Sequence, residues 1–185
     1  MEPRKHDQSS PDATVQQLAT LFRTHPAWLS AASLLQPEAS SSVFFSHRPG
    51  EAWRLERRDG VACLLPGAAT DPDLVFCFPP AAVEALARVD GRVGDFAVEL
   101  FGLVAETRPD LRVRLRVAAP FARLVRRGYL SLLAAGGWRV LAVGAKRGVR
   151  SIAELRALVE ASRRSGPQPW EGEAAAAQRD PERTR

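Results

Sequence analysis

Apolar residues in this chain alternate in a few short stretches and recur at helical spacing in most of the others. In WRLERRDGVACLL, residues 53–65, Trp53 and Leu55 alternate with Arg54, Glu56 and Arg58, which is the period of a half-buried strand. The Asp59-Gly60 pair predicts a two-residue hairpin turn, because both central positions of a type I′ turn need positive φ. Such a turn fixes the register. Arg58 then faces Val61, Leu55 faces Leu64, and Trp53 lies near Pro66. A second connection, PGAATDPD, leads into LVFCF at 74–78, with Asp71 and Asp73 as turn-formers around Pro72. Pairing Leu64 near Phe76 collects Trp53, Leu55, Ala62, Leu64, Leu74, Phe76 and Phe78 on one covered face. Arg54, Glu56, Cys63, Leu65, Val75 and Cys77 fall on the other, which is mixed and more exposed, and Cys63 becomes a cross-strand neighbour of Cys77.

Helical spacing flanks this region. Val15, Leu18, Leu21 and Phe22 share one helical face, and Pro26 interrupts it before a short helix carrying Trp28, Leu29, Ala32 and Leu35. The loop QPEASSS then enters a first strand at 43–46 or slightly beyond. Three short strands with two turn signals between residues 43 and 89 run into a helix that Pro79-Pro80 presets, with Val83, Leu86 and Ala87 as its stripe. Residues 95–106 predict a further helix with Phe96, Leu100, Leu103 and Val104 inward, ending before Pro109. LRVRLRV, 111–117, is the clearest strand: Leu111, Val113, Leu115 and Val117 on one face, Arg112, Arg114 and Arg116 on the other. Pro120 opens a helix with Phe121, Leu124, Val125, Tyr129, Leu132 and Leu133 inward and Arg123, Arg126 and Arg127 outward, ended by Gly136-Gly137. WRVLAVG, 138–144, reads as an apolar strand, and Ser151 with Glu154 caps a last helix whose face is Ile152, Leu155, Leu158 and Val159. The predicted order is αα, βββ, αα, β, α, β, α.

Length and composition bound what this pattern can be. With 185 residues, 45% of them hydrophobic, the chain buries one ordinary core. Residues 1–12 and 165–185 are polar and expected to be disordered, leaving a single domain over 13–164. The formal charge of +5 comes from 26 basic residues, of which only Lys5 and Lys146 are lysine, interspersed with 21 acidic ones. That skew to arginine follows base composition more readily than selection for nucleic acid, so no nucleic-acid partner is expected. The polar start MEPRKHDQSSPDA carries no secretory apolar core, and no run approaches the roughly 20 residues of a membrane span, so a cytoplasmic, non-transmembrane protein is expected.

Chemistry-bearing motifs are absent. No GxSxG, HExxH, GxxxxGK[ST] or GxGxxG occurs, and GAKRG at 144–148 matches none of them. His6, His25 and His47 lack metal-ligand spacing; His25 beside Pro26 reads as a helix-end residue, and His47 as a solvated turn residue. Two cysteines without CxxC spacing make neither a disulfide scaffold nor a thiolate metal site. No catalytic residue, metal site or cofactor is therefore expected.

The stretch WRLERRDGVACLLPGAATDPDLVFCFPPAAVEAL joins an aromatic strand, an Asp-Gly hairpin, a small-residue loop ending in an acidic turn, an apolar strand and a prompt helix. In this it resembles the sterol carrier protein type 2 (SCP-2-like) family, and the remaining element order extends the resemblance over about residues 40–160. The chain departs from the family's pattern after residue 78: its second helix is longer, and the next strand is opened by Arg108-Pro109-Asp110. The resemblance implies an α+β fold, one layer of about five strands covered on one face by helices, here with a helical N-terminal segment. It also implies non-catalytic carriage of a lipid, fatty acyl chain, sterol or isoprenoid in an apolar cavity between the layers. Cavity-facing candidates are Trp53, Leu55, Leu74, Phe76, Val83, Leu86, Phe96, Leu100, Phe101, Phe121, Leu124 and Val125, with Ala82, Ala85 and Ala97 leaving room. The alternative is an interaction or scaffold module that docks a protein or anionic surface through Arg112, Arg114, Arg116, Arg123, Arg126 and Arg127.

Overall fold

The computed structural model describes residues 12–146 and 149–171. The termini expected to be disordered lie at 1–11 and 172–185 outside the described residues, and so does the Arg-Gly end of GAKRG. Helices α1 (Ala13–Thr24) and α2 (Pro26–Leu34) lead into four strands, β1 (Ser40–Phe45), β2 (Ala52–Arg58), β3 (Val61–Pro66) and β4 (Leu74–Phe78). Then come α3 (Pro80–Ala87), α4 (Val93–Val104), β5 (Arg114–Val117), α5 (Phe121–Arg126), α6 (Tyr129–Ala135), α7 (Gly137–Lys146) and α8 (Ile152–Arg164). The α+β class and a five-stranded sheet match the expectation, but the set of strands differs. Each of the four stretches read as strand before the first covering helix forms one, where the predicted order counted three, and 138–144 is not a strand.

The hairpin forms as its turn chemistry dictates. Asp59 and Gly60 hold φ of 51° and 82°, and the pairs Arg58 with Val61, Leu55 with Leu64 and Trp53 with Pro66 are all observed. The next pairing is not. The sheet order is β3-β2-β1-β4-β5, so the PGAATDPD loop carries the chain past β2 and β1 to the far side of the sheet. There β4 runs parallel to β1, with Val43 opposite Phe76 and Phe45 opposite Phe78. Leu64 is therefore not beside Phe76, nor Cys63 beside Cys77. Two strands intervene, which at about 4.8 Å per interval separates β3 from β4 by roughly 14 Å. The physical reason lies in β1: Val43 and Phe45 are buried on one face and Phe44 on the other, a strand suited to the middle of a sheet.

The covered face is nonetheless the expected one. Val43, Phe45, Trp53, Ala62 and Phe78 pack with Val15, Leu18, Leu21 and Phe22 of α1 and Ala82, Val83 and Leu86 of α3. Val43, Val83 and Leu86 are without solvent exposure, and burying each contributes about 1.5–3 kcal/mol. Trp28 of α2 packs between Phe22 and Phe96, with both ring centroids 4.4 Å away. The opposite face is not left open. Val75 and Cys77, placed on the more exposed side by the alternation, are buried with Phe44 and Ala52. Trp170, in a segment expected to be disordered from residue 165, sets its ring edge-on to Phe44 at 5.6 Å.

Two further segments depart from the pattern. The apolar run at 138–144 lies in α7, and the turn that leads into it packs closely on α4: a Cβ on Gly94 of α4 would come 2.6 Å from the Gly136 carbonyl oxygen. A seven-residue apolar run carries no period that separates a buried strand from a helix packed on another helix. The single helix expected from Pro120 breaks at Gly128, where φ is 89° and the chain presses against the end of α2. The Gln36 amide there donates to the Arg127 carbonyl at 3.0 Å. Ser151 Oγ accepts from the Glu154 amide and caps α8 as expected, but of its four-residue apolar face only Val159 is buried, and Ile152 and Leu158 are exposed.

Candidate functional site

Only the second half of the alternation LRVRLRV, Arg114–Val117, is strand and builds the edge of the sheet; the amides of Leu111 and Arg112 close a turn on the Arg108 carbonyl instead. Leu115 and Val117 stand opposite Phe76 and Leu74 on the covered face, and Arg114 and Arg116 stand opposite Cys77 and Val75 on the other. Because β5 pairs only with β4, the backbone on its outer side has to find other partners. Val113 donates to the Leu103 carbonyl of α4 at 3.0 Å, and Val117 to Ser162 Oγ of α8 at 3.0 Å. Ala118, one residue on, points inward to the Asp73 carbonyl at 2.9 Å. Strand residues two apart send their amides to the same side, so the Leu115 N–H and C=O face outward between the two capped positions. Among the described residues no partner meets them.

A cleft of about 520 Å³ opens at this point, lined by Val104, residues 112–116, Ser162, Ser165, Gln168 and Trp170. It lies within the roughly 300–1,000 Å³ usual for ligand sites. Its walls are the end of α4, the edge of β5, and the last turn of α8 with the segment that follows. Arg116 is already engaged: Glu171 takes its guanidinium through two bonds of 2.6 and 2.5 Å, and the Gln168 amide donates to the same carboxylate. Arg112 and Arg114 are exposed and have no ion pair among the described residues. The cleft thus offers two guanidiniums without an ion pair among the described residues, an outward backbone donor and acceptor, hydroxyls and an indole.

The other three arginines of the predicted basic surface part company. Arg126 is exposed, whereas Arg123 and Arg127 turn into the molecule toward Asp73, which is fully buried just before β4. Arg127 Nη1 donates to Asp73 Oδ1 at 2.6 Å and the Tyr129 hydroxyl to Oδ2 at 3.2 Å, while the Ser40 amide donates to Oδ2 at 3.3 Å. Arg123 Nε is 3.1 Å from the same Oδ1 but off the line of its N–H, so it makes an ion pair without a hydrogen bond. Its Nη1 pairs with Asp71 and its Nη2 donates to the Pro72 carbonyl. Burial draws the Arg127 guanidinium down, but the bond and charge of Asp73 outweigh it and hold Arg127 above its ordinary value. Burial and the Asp73 charge together push the Tyr129 phenol well above its ordinary value. These residues lash β1, β4, β5, α5 and α6 together; Asp73 is a structural hub and not a turn-former alone.

The twelve apolar candidates do not line the cleft. Trp53, Val83, Leu86 and Phe96 are buried in the main core, with Leu55, Phe76 and Leu100 packed against it. Leu124 is buried in a separate cluster, against which Leu74 and Phe121 pack. Phe101 is half-buried and Val125, expected inward, is exposed. His25 caps α2: its Nδ1 accepts from the Ala27 amide at 3.2 Å, so Nε2 donates to the Val89 carbonyl at 2.7 Å. His47 Nε2, expected to be merely solvated, is 2.5 Å from Asp12 Oδ2. The Thr14 amide and then His47 hold that carboxyl below its usual range.

Sequence patterning missed Asp73, Ser162, Ser165, Gln168 and Trp170. The signals were present: arginines at 123 and 127 share one helical face, and a tryptophan stands alone in an otherwise polar tail. Among the described residues no group of three or more His, Cys, Asp or Glu side chains is placed to hold a metal ion, and no helix is long and apolar enough to cross a membrane. No family model, curated protein or solved structure matches this chain.

Proposed function

We propose that the protein is a non-catalytic interaction module that docks an acidic partner in the cleft beside β5, with Arg112 and Arg114 as the contacting charges. The observation that carries this reading is a ligand-sized recess whose two guanidiniums, unpaired among the described residues, stand beside a third already holding a carboxylate, that of Glu171. A guanidinium fork matches a carboxylate in geometry as well as in charge. The hydrophobic-carrier reading implied by the SCP-2-like resemblance has less support, because Val83 and Leu86 are fully buried among core side chains and none of the twelve apolar candidates borders the cleft.

Fluorescence anisotropy with a labelled oligoglutamate tests the reading. Affinity is expected to fall steeply with added salt, and the Arg112→Ala/Arg114→Ala variant is expected to bind at least tenfold more weakly. Equal binding by that variant, with its circular dichroism unchanged, overturns the proposal.

A further inference from the structure

We infer that the acidic partner enters the cleft as an extended segment that adds to the free edge of β5, with carboxylates at alternate positions meeting Arg112 and Arg114. The inference rests on the docking reading and says how the docking is done.

Three observations define the occupant. The outward N–H and C=O of Leu115 form a donor and an acceptor side by side, between amides already taken by Leu103 and Ser162. A phosphodiester or a lone carboxylate can accept from that N–H, but it cannot donate to the C=O. A peptide backbone does both, which is how a strand joins a sheet edge. The side chains set the second requirement. Arg112, just before β5, and Arg114, its first residue, are two residues apart, at most about 6.6–6.8 Å along the chain. An added strand presents its own alternate residues at the same interval, so an acid-x-acid pattern meets both arginines, whereas adjacent acids point to opposite faces. The third observation limits the charge count. Arg116 is paired with Glu171, so two acids and not three are called for. The free edge is only one residue long, and the recess holds only a short segment. A duplex or a bilayer surface, by contrast, presents phosphates over a broad front that two guanidiniums in a recess do not match.

The test uses the full chain and the labelled peptide acetyl-Val-Glu-Val-Glu-Val-amide, with acetyl-Val-Glu-Glu-Val-Val-amide as a composition-matched control. Two sets of N-methylated versions accompany the first peptide, one blocking the amides of the Val residues and one those of the Glu residues. The alternating peptide is expected to bind at least fivefold more tightly than the control. Methylation at one parity is expected to cost tenfold or more and at the other less than about twofold. Arg112→Ala/Arg114→Ala is expected to abolish the preference. If both methylated sets bind like the parent while binding still depends on the two arginines, strand addition is overturned and the docking reading stands. If the peptides bind independently of the arginines, or not at all at millimolar concentration, both fail. Arginine-dependent binding of phosphatidylserine vesicles or of an oligonucleotide, without binding of the peptide, likewise overturns the inference in favour of a phosphate ligand.

Discussion

Asp73, with no exposure to solvent, accepts a 2.6 Å hydrogen bond from Arg127, fifty-four residues further along the chain. The bond fastens the start of β4 to the end of α5, and the Asp73 backbone holds Ala118 and Ala119 after β5. Replacing Asp73 with Asn leaves Arg127 without its counter-charge. The expected loss is on the order of 3 kcal/mol, at the lower end for breaking a buried pair because both arginines still reach solvent. In thermal unfolding this is a fall of roughly 6–12 °C for a chain of this size. Asp71→Asn, whose side chain is 70% exposed, is expected to shift the midpoint by less than a third as much.

Tyr129 is the one tyrosine in the sequence, so phenolate absorbance reports it alone. Burial and Asp73 disfavour its ionised form in the folded protein, and its folded pKa lies above the unfolded reference of 10.0. The stability it contributes is complete below pH 10 and is lost as pH rises beyond that value toward the folded pKa. Spectrophotometric titration is expected to show no phenolate near pH 10 in the folded chain, and a normal transition in urea. A normal transition in the folded protein contradicts the described burial.

Gly128 combines φ of 89° with a position where a Cβ collides with the Leu34 carbonyl oxygen. Gly128→Ala is expected to cost more than about 2 kcal/mol, since the left-handed conformation alone costs roughly 1–2 kcal/mol. Gly137, at φ of 70° with open space where its Cβ would be, isolates the backbone part. Gly137→Ala is expected to lose only that smaller amount by urea unfolding.

The two thiols are expected to behave differently. Cys77 is buried and burial raises its pKa, partly offset by Arg114, whereas Cys63 is only half-buried. Ellman's reagent is expected to modify Cys63 first and Cys77 only on unfolding. Mild oxidation of the folded monomer is expected to leave both as thiols, since strands with two others between them cannot bring their Cα atoms within about 7 Å.

Local chemistry was legible in the sequence where it is self-contained. The Asp59-Gly60 turn sets its own backbone angles, and with them the register from Trp53 to Pro66, without reference to the rest of the chain. The helical faces of α1, α3 and α4 were legible because each buries a stripe against the same layer. The position of β4 was not. Its alternation tells which residues share a face, and Phe76 and Phe78 do lie on the covered one, but not which strand lies alongside. That choice went to β1 because the centre of the sheet rewards a strand apolar on both faces. The alternation of Arg112, Arg114 and Arg116 was plain, whereas the cleft beside them was not, since its other wall comes from residues about fifty positions later. Arg123 and Arg127 resemble surface charges until a loop fifty residues away supplies Asp71 and Asp73.

The parallel pairing of β1 with β4 bears on how the chain reaches this structure. Ser41 meets Leu74 across an intervening hairpin whose own contacts are local. Closing that loop costs chain entropy before any central contact repays it. The hairpin is therefore expected to form early and the middle of the sheet late, with Asp73 joining only when β1, β4 and α5 have converged. Substitutions at Asp73 are expected to speed unfolding and leave the refolding rate nearly unchanged, whereas substitutions in the Asp59-Gly60 turn slow refolding.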